Sequence, residues 1–88
     1  FAPDETTPSL LDGEVFVTGV NTKATAITNF TDAEAGIVYT IYGNGSENAS
    51  TIASGRNFVL TEAITLSEGK FIKLAKAADG KFYEVARG

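Results

Sequence analysis

The stretch Gly36-Ile37-Val38-Tyr39-Thr40-Ile41-Tyr42-Gly43 decides the fold class of this 88-residue chain. Its two glycines enclose six residues of types that favour extended backbone and pack well on a pleated sheet. The six are nearly all apolar rather than strictly alternating, which predicts a β-strand with both faces at least partly covered. We therefore start from a β protein built around this strand.

Other parts of the chain repeat this pattern. A second glycine-led strand is predicted at residues 69–75, with Lys70 and Lys73 reaching solvent, and a shorter similarity links Ala24–Ile27 to Ala49–Ile52. We interpret the similarities as two layers, each a short Thr/Ile strand followed by a longer strand. Chance resemblance between β-rich segments is the alternative.

Further strands are predicted at residues 14–18, 25–28, 50–53, 57–60, 63–66 and 81–86, because β-formers there are bounded by turn residues. No segment has helical spacing, and Thr31–Glu34 allows one helical turn at most. In the last strand, alternation predicts two faces, one with Phe82, Glu84 and Ala86 and one with Tyr83, Val85 and Arg87. The prediction is an all-β fold, either a small β-sandwich or barrel or a β-helix-like stack.

The chain divides into two parts in this prediction. Residues 1–13 contain Pro3 and Pro8 and form an extended N-terminal arm, and residues 14–88 form a single all-β domain. The apolar residues Phe1, Leu10 and Leu11 would attach the arm to a neighbouring subunit. The alternative is a partly disordered linker, and the start at Phe1 indicates a processed chain or one whose preceding residues are missing.

Composition argues against several function classes. The net charge of −4 and the pI near 4.6 disfavour a nucleic-acid partner, and no apolar run is long enough to span a membrane. Without Cys or His there is no thiol nucleophile, no histidine-based triad and no ordinary zinc site. A core this small commonly needs support from oligomerisation, so we expect self-association.

Several polar motifs are candidate catalytic, metal-binding or glycosylation sites. The pairs Asp12/Glu14 and Asp32/Glu34 could serve acid–base chemistry or bind calcium, but they lack the spacing of a calcium loop, and we interpret them as solvated turn carboxylates. The Asn-x-Ser/Thr triplets, which begin at residues 29, 44 and 48, are glycosylation acceptors or chance occurrences, and we favour chance. We therefore predict no enzyme, no cofactor and no metal.

Four aromatic residues are predicted to face an interface or a ligand: Tyr39, Tyr42, Phe82 and Tyr83. The tyrosines at 39 and 42 could stack on sugar rings, yet a spacing of three places them on opposite faces of a strand. Packing in the core or between subunits is the favoured role.

The order of the predicted strands resembles short β-modules of tailed-bacteriophage virion proteins. The resemblance spans about residues 14–87 and rests on these segments: Ile27-Thr28-Asn29-Phe30, Gly36 to Ile41, Ser50-Thr51-Ile52, Asn57-Phe58-Val59-Leu60, Gly69 to Leu74 and Phe82 to Arg87. Such modules occur in fibres, spikes and capsid-decorating proteins, generally as trimers. The resemblance implies a homotrimeric structural protein on the phage particle surface, with capsid or fibre proteins as further partners and no catalytic residues.

Two other functions remain open. A carbohydrate- or receptor-binding β-domain of a larger adhesive or fibre protein is the first alternative. A small hydrolase fragment is the second, and the missing His and Cys argue against it.

Overall fold

The computed structural model describes all 88 residues of the chain. It contains eight β-strands and no helix, which confirms the all-β prediction. The helical turn allowed at Thr31–Glu34 does not form. The strands are β1 (Val15–Val17), β2 (Thr25–Ala26), β3 (Val38–Tyr42), β4 (Ser50–Ile52), β5 (Phe58–Val59), β6 (Ile64–Thr65), β7 (Phe71–Lys76) and β8 (Phe82–Arg87).

The strands form two sheets. A five-stranded sheet has the order β1-β3-β7-β8-β5, and a three-stranded sheet has the order β2-β4-β6. Consecutive short strands therefore alternate between the sheets instead of pairing as hairpins. Only β7 and β8 are paired neighbours in the chain, joined by a turn in which Gly80 has a φ of +89°.

In the first half of the chain, residues 15–26 and residues 40–51 form two layers, and each strand of the first layer pairs with a strand of the second. Val15 lies beside Thr40 and Thr25 beside Ser50, both in parallel register and both 25 residues apart. The similarity of Ala24–Ile27 to Ala49–Ile52 thus corresponds to two stacked segments. The two glycine-led strands are also neighbours, but they run antiparallel.

The core lies between the inner faces of the two sheets. It contains twelve buried apolar side chains: Leu10, Ile27, Phe30, Tyr39, Ile41, Ile52, Phe58, Ile64, Leu66, Ile72, Leu74 and Phe82. Phe30 packs edge-on against Phe58 and Phe82, with ring centroids 5.7 and 5.4 Å apart. These aromatic rings supply bulky side chains to a core that has no Met or Trp.

The N-terminal segment differs from the predicted arm, because it packs on its own chain. Leu10 is 2% exposed within the core, and the Phe1 ring stacks on Phe16 at 5.4 Å. The Phe1 amino group donates to the Val17 carbonyl at 2.7 Å, and Asp4 accepts hydrogen bonds from Thr22. Burying Leu10 and Phe1 removes apolar area from water within one chain, so neither side chain is free to dock on a neighbour.

A β-bulge corrects the predicted faces of β8. Lys73 pairs with Ala86 but Leu74 pairs with Glu84, so Val85 is an extra residue in the ladder. The extra residue reverses the alternation beyond it. Arg87 therefore lies on the inner side with Glu84, rather than with Tyr83 and Val85.

Candidate functional site

Seven of the nine exposed large hydrophobic side chains lie on the side of the five-stranded sheet that faces away from the core, which we call the outer face. Directly paired residues project to the same side of a sheet, so the registers define three rows across it. The rows are Val15–Thr40–Lys73–Ala86, Val17–Tyr42–Phe71 and Val38–Ala75–Tyr83–Val59, with Val85 added at the bulge.

The outer face is open to solvent although most of its side chains are apolar. Its valines at positions 15, 17, 38, 59 and 85 are all exposed, whereas Thr40 is covered by its neighbours. Strands about 4.8 Å apart and residues about 3.3 Å apart give the face an area of roughly 20 by 20 Å. The largest apolar patch of a typical soluble monomer has about this size and is often functional.

Lys73 is the only charged residue in the three rows, and it lies in the middle row on the central strand β7. Its side chain is exposed and makes no ion pair within the chain, because both ion pairs involve Arg87. Sequence reasoning placed Lys73 in solvent but missed its apolar surroundings. The sequence signal for these apolar surroundings is the alternation of Phe71, Lys73 and Ala75. It becomes informative only when the strands that pair with β7 are known.

The four predicted aromatic residues divide between the core and the outer face. Tyr42 and Tyr83 lie on the outer face, 40% and 37% exposed. Tyr39 and Phe82 are in the core, and the Tyr39 hydroxyl accepts a hydrogen bond from the Glu34 amide at 2.9 Å. Tyr39 and Phe82 therefore pack in the core, which is part of the favoured role, and do not face an interface or a ligand. Because Tyr39 and Tyr42 lie on opposite faces of β3, as their spacing predicts, they cannot stack on the same sugar ring.

An acidic cavity of about 220 Å³ lies at the corner where the two layers stack. The four turn carboxylates line it together with Leu10, Leu11, Ile37 and Tyr39: Asp12, Glu14, Asp32 and Glu34. Asp12 and Asp32 both have a positive φ, which aspartate tolerates better than most residues. The layered fold thus brings together two carboxylate pairs that are 20 residues apart in sequence, although no three of the acidic groups are placed to hold a metal ion.

The carboxylates of the cavity are not paired with cations inside the chain. Asp32 accepts a hydrogen bond from the Ser9 hydroxyl at 2.5 Å, and the other three side chains accept none. Leu11 is 61% exposed at the same corner, so it is the one predicted attachment residue that remains accessible. The result is an acidic surface with an apolar rim.

A second cavity, of about 410 Å³, lies at the other end of the sheets beside Glu62, Lys70 and Arg87. Arg87 is already occupied there. It pairs with Glu84 and donates to the Glu62 carbonyl at 2.6 Å, so its charge and donors stabilise the fold. A third cavity, of about 300 Å³, is lined by Arg56, Asn57 and residues of β2 and β4 and contains no pair of groups suited to catalysis.

The glycosylation triplets differ in how their amides are held. Asn44 donates to the Thr18 carbonyl at 2.8 Å, and Asn48 donates to the Asn21 carbonyl at 3.3 Å. The side-chain oxygen of Asn29, Oδ1, accepts a hydrogen bond from the backbone amide of Phe30. These side-chain amides thus stabilise loops, and the interpretation of the triplets as chance occurrences stays a prediction.

Comparisons of the chain with protein-family models, curated proteins and solved structures give no match. No helix that could cross a membrane is present. The candidate functional surfaces of this chain are therefore the outer face and the acidic cavity.

Proposed function

We propose that this chain is a structural protein of a bacteriophage virion, a small trimeric module that decorates the capsid or forms part of a fibre. It works by burying apolar surface against copies of itself and against other virion proteins, on the surface of the particle. The resemblance to phage β-modules supplies the biological setting.

The observation that carries the proposal is the outer face. Each exposed valine or tyrosine on it would gain about 1 kcal/mol or more from burial, at about 25 cal/mol per Å². A closed ring of copies covers such a surface on every subunit, and the resemblance to phage modules favours a ring of three.

The molar mass in solution tests the proposal. Light scattering across a dilution series should give three times the chain mass of 9.2 kDa at high concentration. A chain that stays folded and monomeric at every concentration would contradict the proposal.

A second candidate function is carbohydrate or receptor binding by the aromatic part of the outer face. Tyr42 and Phe71 have ring centroids 5.5 Å apart, and Tyr83 lies on the same face, so a sugar ring has accessible aromatic surface to stack on. Saturable glycan binding that is lost in Tyr42→Ala, with an unchanged far-UV spectrum, would support it. Absence of binding on a broad glycan array would count against it.

A further inference from the structure

The outer face has one feature that apolar contact alone cannot satisfy, the ammonium group of Lys73. Thr40 and Ala86 flank Lys73 in its row, and the other two rows contain no charged residue. Burying an ammonium group without a counter-charge is unfavourable. Any partner that covers the outer face must therefore place a carboxylate against the centre of that face, next to Lys73.

A symmetric pairing of two outer faces does not meet this requirement. Such a pairing is isologous, and a residue at the centre of the paired faces lies close to the twofold axis, where it meets its own copy. Two Lys73 side chains would approach one another, and neither face has a carboxylate. Like charges in a desolvated contact are destabilising.

The acidic cavity of a second copy does meet it. That surface has four carboxylates without cation partners, and the exposed Leu11 provides apolar contact at its rim. We propose that the outer face of one copy docks on the acidic cavity of the next, with Lys73 directed towards Glu34 and its neighbours. This inference rests on the proposed function and names the two surfaces that form its trimer contact.

This contact is heterologous, because two different surfaces meet. A contact of this kind closes into a ring when its rotation is a simple fraction of a turn, and a threefold ring uses each surface once per subunit. An outer face of roughly 20 by 20 Å gives a contact of about 800 Å² in total, which is below the usual size of stable interfaces and makes this a weak one. The trimer should accordingly dissociate on dilution and should weaken as salt screens Lys73 from the carboxylates.

A charge swap followed by sedimentation tests the docking. Lys73→Glu and Glu34→Lys should each weaken association at least tenfold, because each places like charges in the contact. The double variant should associate more tightly than Lys73→Glu alone, because the new carboxylate then faces the new ammonium group. It should not reach the original affinity, because the other three carboxylates of the acidic cavity still oppose the new carboxylate. Lys23→Glu, which makes the same charge change in an exposed loop outside both surfaces, is the matched control and should have no effect.

Thermal unfolding of each variant shows whether it is folded, and all three substituted positions are exposed and outside the core. If Lys73→Glu associates as the original chain does, or if the double variant associates no more tightly than Lys73→Glu, the docking is wrong while a trimer can still form through another surface. If the original chain is monomeric throughout, both the docking and the proposed function fail.

Discussion

Arg87 and Glu84 lie three residues apart on β8 and form an ion pair, with Arg87 Nε 2.8 Å from Glu84 Oε2. In a regular strand, residues three apart project to opposite faces. The bulge at Val85 places both side chains on the inner side, where Glu84 also accepts a hydrogen bond from the Thr61 amide at 3.0 Å. One extra residue thus creates the contact that joins β8 to the segment before β6.

The ion pair should make stability depend on pH. Hydrogen bonds from Arg87 are the main reason that the pKa of Glu84 falls from 4.5 to about 2. A pKa that is lower in the folded than in the unfolded chain stabilises the fold fully above about pH 4.5, and this contribution is lost as the pH falls towards 2. The shift corresponds to at most about 3 kcal/mol.

Glu84→Gln isolates this contribution from those of Asp4 and Asp79, whose pKa values are also lowered by hydrogen bonds. We expect the variant to lose about 1–2 kcal/mol of unfolding free energy at pH 7, since the charge-assisted bonds to Arg87 are gone. Urea titrations from pH 7 to pH 2 should show the difference from the original chain shrinking. A difference that stays constant over this range would contradict the assignment.

The burial of the N-terminal segment predicts unequal effects for adjacent leucines. Leu10→Ala should cost about 2–4 kcal/mol, because it leaves a cavity in the core. Leu11→Ala, at an exposed position, should stay within about 0.5 kcal/mol in the monomer and serves as the control. Denaturant unfolding measures both, and equal effects would mean that the segment is a detached arm after all.

Gly43 should be one of the least replaceable glycines. A Cβ at this position would collide with the carbonyl groups of Leu66 and Ser67, which are backbone atoms and cannot rotate away. Gly43→Ala should therefore lower the unfolding free energy by about 1–3 kcal/mol. Gly55 is the control, because it has open space around it and no positive φ, and Gly55→Ala should be neutral or slightly stabilising. A similar loss of unfolding free energy in both variants would indicate a general effect of glycine replacement.

Residue patterns predicted the strands better than their arrangement. The β-forming runs at Val38–Tyr42 and Phe71–Lys76 were identifiable because propensity and turn residues agree there. The similarity of Ala24–Ile27 to Ala49–Ile52 also indicated the layers. The bulge at Val85 has no local signature, so the inward position of Arg87 could not be predicted from alternation.

The candidate site was harder to predict than the fold, because it depends on contacts between distant segments. Two of the four proposed aromatics are buried, since the register places Tyr39 and Phe82 on the inner side of the sheet. The acidic cavity joins residues from two layers, and only the stacking of those layers reveals it. Whether Tyr42 and Tyr83 contact a partner stays a prediction.

The most direct test of the central claim compares two exposed valines by sedimentation equilibrium. Val85 is 57% exposed on the outer face, and Val20 is 67% exposed in a loop outside the sheets. Val85→Asp should raise the dissociation constant of the assembly at least tenfold, because the new carboxylate would lose its hydration in the contact and would face the carboxylates that Lys73 is proposed to meet, whereas Val20→Asp should leave it unchanged. If both variants associate as the original chain does, the outer face is not the surface through which this protein assembles.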